Sequence, residues 1–353
     1  MSDDIYAKIS SLFYATDVRN QTIAFELAKS QNCYDRWIND QYAAWMELPF
    51  FVAHAAATRR AVDADVLSDP VAVRHQQLAR FAKAYFRPEM SFQGWEDRVM
   101  TVFPAVLLQC VFLEVLDLAW NQLETLPQDI DRLDQLRVLN LIGNETLRHL
   151  PSSLAQLEQL EELIFSGQLT LFEQTVATPM GEQQVHQLPL FFRQMYRLRR
   201  LYIDGVLLDA LPEWLPEMRQ LQELELASNL EWLPYLILPD SLVQLSQLTT
   251  LGINGYLTHI PQDIDQLQQL ECLRIASALA VPDSLVQLPQ LKSLNLSHLS
   301  LSYPLATASQ DPLGTFRGTQ TLPEGQSRIQ LYGWDWMKQL QQLEEFIFIH
   351  DDP

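Results

Sequence analysis

The chain has 353 residues, 48% of them hydrophobic and 19% charged, which excludes a disordered chain and leaves room for two domains or a repeat array with an appendage. Its formal net charge of −20 opposes a phosphate backbone, so nucleic acid and anionic membrane are disfavoured, and a protein with a basic or mixed-charge surface is the expected partner. The three cysteines, Cys33, Cys110 and Cys272, are too scattered for a disulfide framework or a zinc site and read as free thiols of a reducing compartment.

Residues 1–103 carry no repeat and read as helices. Asp69-Pro70 has the spelling of an N-cap followed by proline at the first helical position, and Leu78, Phe81, Ala82 and Tyr85 then recur at helical spacing. Phe92, Trp95, Val99 and Phe103 place a further helical segment's apolar residues on one side. We expect this helical domain to cap the apolar end of the segment that follows, with Trp37, Tyr42, Trp45, Phe50 and Phe51 in its core. The opening MSDDIYAKISSLFYA has two acids where a secretory signal carries positive charge, and no window approaches the roughly 18 apolar residues of a membrane helix. A cytoplasmic setting without membrane insertion is therefore expected.

From Leu113 onward one template recurs: L-x-x-L-x-L, a turn, then hydrophobic-Pro with apolar residues three and six positions later. It opens at Leu113, Leu136, Leu160, Leu198, Leu221, Leu248, Leu270, Leu291 and Leu343. Pro104, Pro127, Pro151, Pro189, Pro212, Pro239, Pro261 and Pro282 each stand nine residues before the next opening leucine. The leucine half alternates buried with exposed positions, as a short strand does. The proline half has period three, which suits a 3₁₀ turn with proline at its first position. One such unit cannot bury its own apolar faces, whereas a stack makes a continuous core along a parallel sheet. Long insertions fall at about 169–186 and 302–333, and the second, rich in Ser, Thr, Gly and Pro, reads as a mobile loop ending in the strand-like SRIQLYG.

This pattern resembles the typical leucine-rich repeat class, in particular the intracellular LPxxIxxLxxLxxLxLxxN proteins of bacteria and of the Ras-pathway scaffold group. The resemblance covers about 104–301 and 334–350. It implies an α/β repeat fold: a leucine-rich repeat solenoid, or horseshoe, over 104–350 with a parallel inner sheet, behind the all-α N-terminal domain of 1–103. The family's turn asparagine stands at Asn121, Asn144 and Asn229 but is replaced by Gln168, Val206, Tyr256, Ala278 and Leu299, so the later turns should be less regular.

No phosphate-binding loop, dinucleotide fingerprint, zinc-protease motif, calcium loop or nucleophile elbow occurs, and we expect no catalytic residue, cofactor or metal. Cys33-Tyr34-Asp35 has the Cys-x-Asp spelling of the ubiquitin-ligase site in certain leucine-rich repeat effectors, which keeps one alternative: a translocated effector or enzyme working from the N-terminal domain. The plainer role for that thiol is a buried structural cysteine.

The resemblance implies a non-enzymatic module that holds a protein on the concave face. The residue between the two core positions of each strand should project there: Asp117, Asn140, Ile164, Tyr202, Glu225, Gly252, Arg274, Asn295 and Ile347. From that column and its flanks we take Trp120, Arg137, Asn140, Ile142, Ile164, Arg199, Arg200, Tyr202, Asp204, Glu225 and Arg274 as the candidate partner-binding residues. Tryptophan, tyrosine and arginine are the side chains that dominate interface energies.

Overall fold

The structure is a computed structural model that describes residues 3–49, 51–52, 55, 69–94, 99–167, 172–178, 181–205, 208, 210–227, 236–257, 260–278, 282–297, 320–321 and 345–349. The chain divides into two compact units, Met1–Glu162 and Leu163–Pro353.

The first unit opens with helices α1 (Asp3–Phe13), α2 (Val18–Ser30), α3 (Tyr34–Trp45) and α4 (Pro70–Tyr85). The expected cap of α4 is present: Asp69 accepts a hydrogen bond from the Val71 amide at 2.9 Å, and Pro70 starts the helix. An aromatic core joins the helices. Phe13 meets Tyr14, Phe25, Trp37 and Phe86 edge-on with ring centroids 5.2–5.6 Å apart, and Trp37, Trp45 and Phe51 are fully buried. Phe50 lies outside the described residues.

The helical reading of the segment through Phe92 is corrected. Glu89–Ser91 forms strand β1, which pairs in parallel with β2 (Val115–Asp117). The cause is the open edge of β2. The Glu114 and Val115 amides donate to the Pro88 carbonyl, and the Phe92 amide donates to that of Asp117, so main-chain groups that would lack partners recruit an extended neighbour. Phe92 and Phe103 are buried, but in coil beside the sheet rather than on a helix, and Trp95 lies outside the described residues. Strand β3 (Val138–Leu141) follows β2 in parallel.

In the second unit the strands are β4 (Glu162–Ser166, at the boundary), β5 (Phe172–Thr178), β6 (Gly181–Gln187), β7 (Arg200–Asp204), β8 (Glu223–Ala227), β9 (Thr250–Leu257), β10 (Cys272–Ala278), β11 (Ser293–Ser297), β12 (Gln320–Thr321) and β13 (Glu345–Ile349). Their order in the main sheet is β4-β7-β8-β9-β10-β11-β13-β12, with β7 to β11 and β13 parallel and β12 antiparallel to β13. The insertion at about 169–186 is an antiparallel hairpin of β5 and β6. Most of the second insertion lies outside the described residues.

Between strands the chain returns by 3₁₀ turns. Each of the eight repeat prolines accepts a hydrogen bond from the amide three residues on, as in Leu107 to Pro104 and Leu285 to Pro282. The next amide in the ladder bonds three residues back again, as in Met195 to Phe192 and Leu245 to Leu242. Period three in the sequence is thus period three in bonding. Proline stands before these turns with its carbonyl accepting, in extended conformation at Pro151 and Pro239 for example, rather than at the first helical position. Leu154, Phe192, Leu215, Leu242, Ile264 and Leu285 go inward and are fully buried.

Two turn asparagines act as expected of the repeat. Asn121, nearly fully buried, donates to the carbonyls of Phe92, Leu118 and Ala119 and accepts from the Met100 amide at 2.8 Å. Asn144 donates to Leu118 and Leu141 and accepts from Leu123. Each asparagine thereby ties its own turn to neighbouring backbone. Asn229 lies outside the described residues.

Candidate protein-binding surface

Strand alternation decides which side chains leave the core. Leu201, Ile203, Leu224, Leu226, Leu251, Ile253, Leu273, Ile275 and Leu294 are buried, so the residues between them stand on the opposite face. Register then aligns that face. Asp117 lies beside Asn140 in the first unit. In the second, Tyr202, Glu225, Gly252, Arg274 and Asn295 stand side by side on consecutive strands, followed by Ile347. Asp204 sits two residues beyond Tyr202 on the same side of β7, while Arg200 starts that strand and Arg199 precedes it, both exposed. Ile164 is half-buried in β4.

The row in the second unit has a gap. Glycine at 252 offers no side chain, and a cleft of about 440 Å³ opens there, lined by Tyr202, Glu225, Gly252, Asn254, Arg274 and Asn295 among others. Glu225 leans over the glycine: a Cβ at position 252 would lie 3.2 Å from its Oε2 and 3.3 Å from its Cγ. The Arg274 guanidinium spans the gap, donating to the Glu225 carboxylate and to the Cys272 Sγ at 3.4 Å. At the far end, the buried Oδ1 of Asn295 has no hydrogen-bond partner among the described residues. Burial, reinforced by the charges of Asp204 and Glu225, raises the Tyr202 phenol above its usual range, so it remains a neutral donor. Burial likewise raises the Asp204 carboxyl, partly offset by the Gly205 amide. The cleft thus offers a donor ring, a paired carboxylate and guanidinium, and an unmet carbonyl.

In the first unit, Arg137 lies between Glu161 at 3.1 Å and Glu114 at 3.8 Å, all at the surface. Asn140 accepts from the Ile142 amide at 3.1 Å, and Ile142 is half-buried. Trp120 is placed differently from a simple strand flank. It sits in the turn after β2 with φ 58° and 59% of its surface exposed, its ring against Gly143. The equivalent turn positions hold Gly143, Gly167 and Gly205, all at positive φ, so Trp120 occupies a position that other turns give to glycine. That alignment of Trp120 with glycines is the sequence signal that finds it.

Cys33 is buried at the start of α3 and its Sγ contacts the Ala28 carbonyl at 3.5 Å, with Asp35 in the first helical turn. Among the described residues no group of three His, Cys, Asp or Glu side chains could hold a metal ion, and no helix is long and apolar enough to cross a membrane. His298 and His350 lie outside the described residues.

No protein-family model and no curated protein matches the chain. Among solved structures, the plant peptide hormone receptor RGFR1 in complex with RGF2 is 24% identical over 55% of this chain and 30% of its own, with a TM-score of 0.43. A leucine-rich repeat protein of Leptospira interrogans is 21% identical over 74% of this chain and 67% of its own, TM-score 0.41. The leucine-rich repeat domain of the type III effector XopL is 20% identical over 74% and 90%, TM-score 0.45. The match spans less than a third of the plant receptor. The proline-to-leucine repeat, the 3₁₀ bonding and the parallel register give the chain a leucine-rich repeat fold.

Proposed function

We propose that the chain is a non-catalytic protein-binding module whose exposed sheet face holds a partner, centred on the Gly252 cleft. The observation that carries this is the cleft itself: around Gly252, four of five aligned positions present varied polar groups that the core beneath does not require. Five strands at about 4.8 Å make a face roughly 20 Å across, the scale of a contact with a polypeptide segment. The carboxylates of Asp204, Glu223 and Glu225 beside Arg274 favour a partner of basic or mixed charge. In the first unit, Trp120, Arg137, Asn140 and Ile142 are a contact surface of their own, and residues 1–103 serve as the cap of that unit's repeats. A cytoplasmic setting accords with the three unpaired cysteines.

Gly252→Leu tests the reading. The three atoms nearest a Cβ there all belong to the flexible Glu225 side chain, so the fold should keep its melting temperature within a few degrees. The filled cleft should release the partner. Retained partner affinity in a folded Gly252→Leu chain refutes the assignment.

A further inference from the structure

A second surface lies on the 3₁₀ side of the repeat that begins at Pro189. Its buried ridge is Phe192, Met195 and Leu198, bonded in steps of three to Pro189, Phe192 and Met195. The adjacent ridge of the same period, Leu190, Arg193, Tyr196 and Arg199, is exposed throughout, with Leu190 58% and Tyr196 64% accessible. Arg197 and Arg200 stand exposed beside it. Positions 193–200 hold four arginines and no acid, in a chain of net charge −20.

The other repeats show that the fold does not ask for these residues. At the position of Arg197 they carry Gln135, Gln159, Gln220, Gln247, Gln269 and Gln290, apart from Phe112 in the first. Where Leu190 stands they have Gln128, Ser152, Glu213, Asp240, Gln262 and Asp283, apart from Ala105 in the first. Opposite Tyr196 are Asp134, Glu158, Ser246 and Gln268, among others. At Leu190, Tyr196 and Arg197 this repeat thus carries apolar and cationic side chains where most others are polar or acidic, with Val111, Arg219 and Pro289 as the exceptions at the Tyr196 position, while the Arg199 position is cationic also at Arg137 and Lys292. Glu217 of the next repeat holds Arg193 in an ion pair, which fixes part of the ridge in place.

We propose that this ridge docks an extended acidic protein segment whose same-face residues alternate between apolar and Asp or Glu. Leu190 and Arg193 stand three residues apart in the 3₁₀ turn Leu190–Gln194, a rise of about 6 Å, close to the roughly 6.6 Å between same-face residues of an extended strand. Apolar residues then meet Leu190 and Tyr196 while carboxylates meet Arg193 and Arg199. A short acidic segment feels mainly the local arginines within a Debye length of about 8 Å. A polyphosphate or anionic bilayer extends past the patch and meets the repulsion of the whole acidic chain.

The probe is a fluorescein-labelled peptide repeating Leu-Thr-Glu-Thr, titrated into the full chain at low and at physiological salt. Arg197→Gln with Arg199→Gln copies residues already used at Gln220 and Gln222, so folding should be retained, and affinity should fall about tenfold or more. Tyr196→Ser, which copies Ser246, should also weaken binding while leaving most of the salt dependence. Gly252→Leu should bind the peptide normally, which separates this site from the sheet-face cleft. No binding by the parent, equal binding of a Leu-Thr-Lys-Thr peptide, unchanged affinity in both variants, or preference for phosphatidylglycerol vesicles or single-stranded RNA each overturns the proposal.

Discussion

Replacing Trp120 by alanine and by glycine separates what its backbone costs from what its ring contributes. With φ at 58°, an L-residue there carries a penalty of about 1–2 kcal/mol. Both replacements lose the covered part of the indole. That is about two-fifths of the residue surface, given 59% exposure, so of roughly 250 Å² some 100 Å² returns to water, worth at most ~2.5 kcal/mol. Glycine removes the backbone penalty but adds about 0.4–1 kcal/mol of unfolded-state entropy. Trp120→Gly should therefore be more stable than Trp120→Ala by roughly 0.5–1 kcal/mol, although glycine is the worse residue at an ordinary surface position. Calorimetry of the full chain should place the glycine variant's transition for the first unit about 1–4 °C above that of alanine. Alanine melting at or above glycine would refute the left-handed turn and with it the glycine equivalence of Gly143, Gly167 and Gly205. Because the exposed indole is also taken as a partner anchor, both variants should weaken binding by about 1–3 kcal/mol in a titration with the partner.

Leu251→Asp puts a charge at a buried strand position and should cost several kcal/mol, read as loss of the cooperative transition in the second unit by circular dichroism. Asn121→Ala removes a donor from the Phe92 carbonyl and the acceptor of the Met100 amide, while the Leu118 and Ala119 carbonyls keep Asn144 and the Gly94 amide, and should destabilise the first unit by about 2 kcal/mol in urea unfolding. His75 bonds the Tyr34 hydroxyl through Nδ1 at 2.5 Å and packs on Phe25 at 4.0 Å. Burial first, then Lys29, depress its pKa below 6.5, against a smaller opposing effect of Glu26. The unfolded chain therefore binds more protons between the folded value and 6.5. This contribution to the stability of the first unit is fully present above pH 6.5 and lost as pH falls through that window, and His75→Gln should flatten this slope in melts taken against pH.

The repeat was legible because it is written twice, once in eight prolines nine residues ahead of a leucine and once in the strand alternation. Register follows from the same pattern, so the row Tyr202, Glu225, Gly252, Arg274, Asn295 can be named from spacing alone. Three features were not legible. β1 is three residues long, and its state is decided by the bare edge of β2 rather than by its own pattern. The hairpin of β5 and β6 falls in an insertion with no counterpart in other repeats. The cleft depends on Arg274 reaching across a glycine to Glu225, 49 residues earlier, a side-chain choice that periodicity does not encode.

The central claim is that a protein sits on the exposed sheet face of the second unit. Site-specific photo-crosslinking in the native cell tests it most directly, with the photoreactive residue at Tyr202 or Asn254 on that face, or at Gln244, exposed in the 3₁₀ turn of the β9 repeat. Adducts of one polypeptide at Tyr202 and Asn254, abolished by Gly252→Leu and absent at Gln244, are the predicted result; an adduct at Gln244 with none on the sheet face would contradict it.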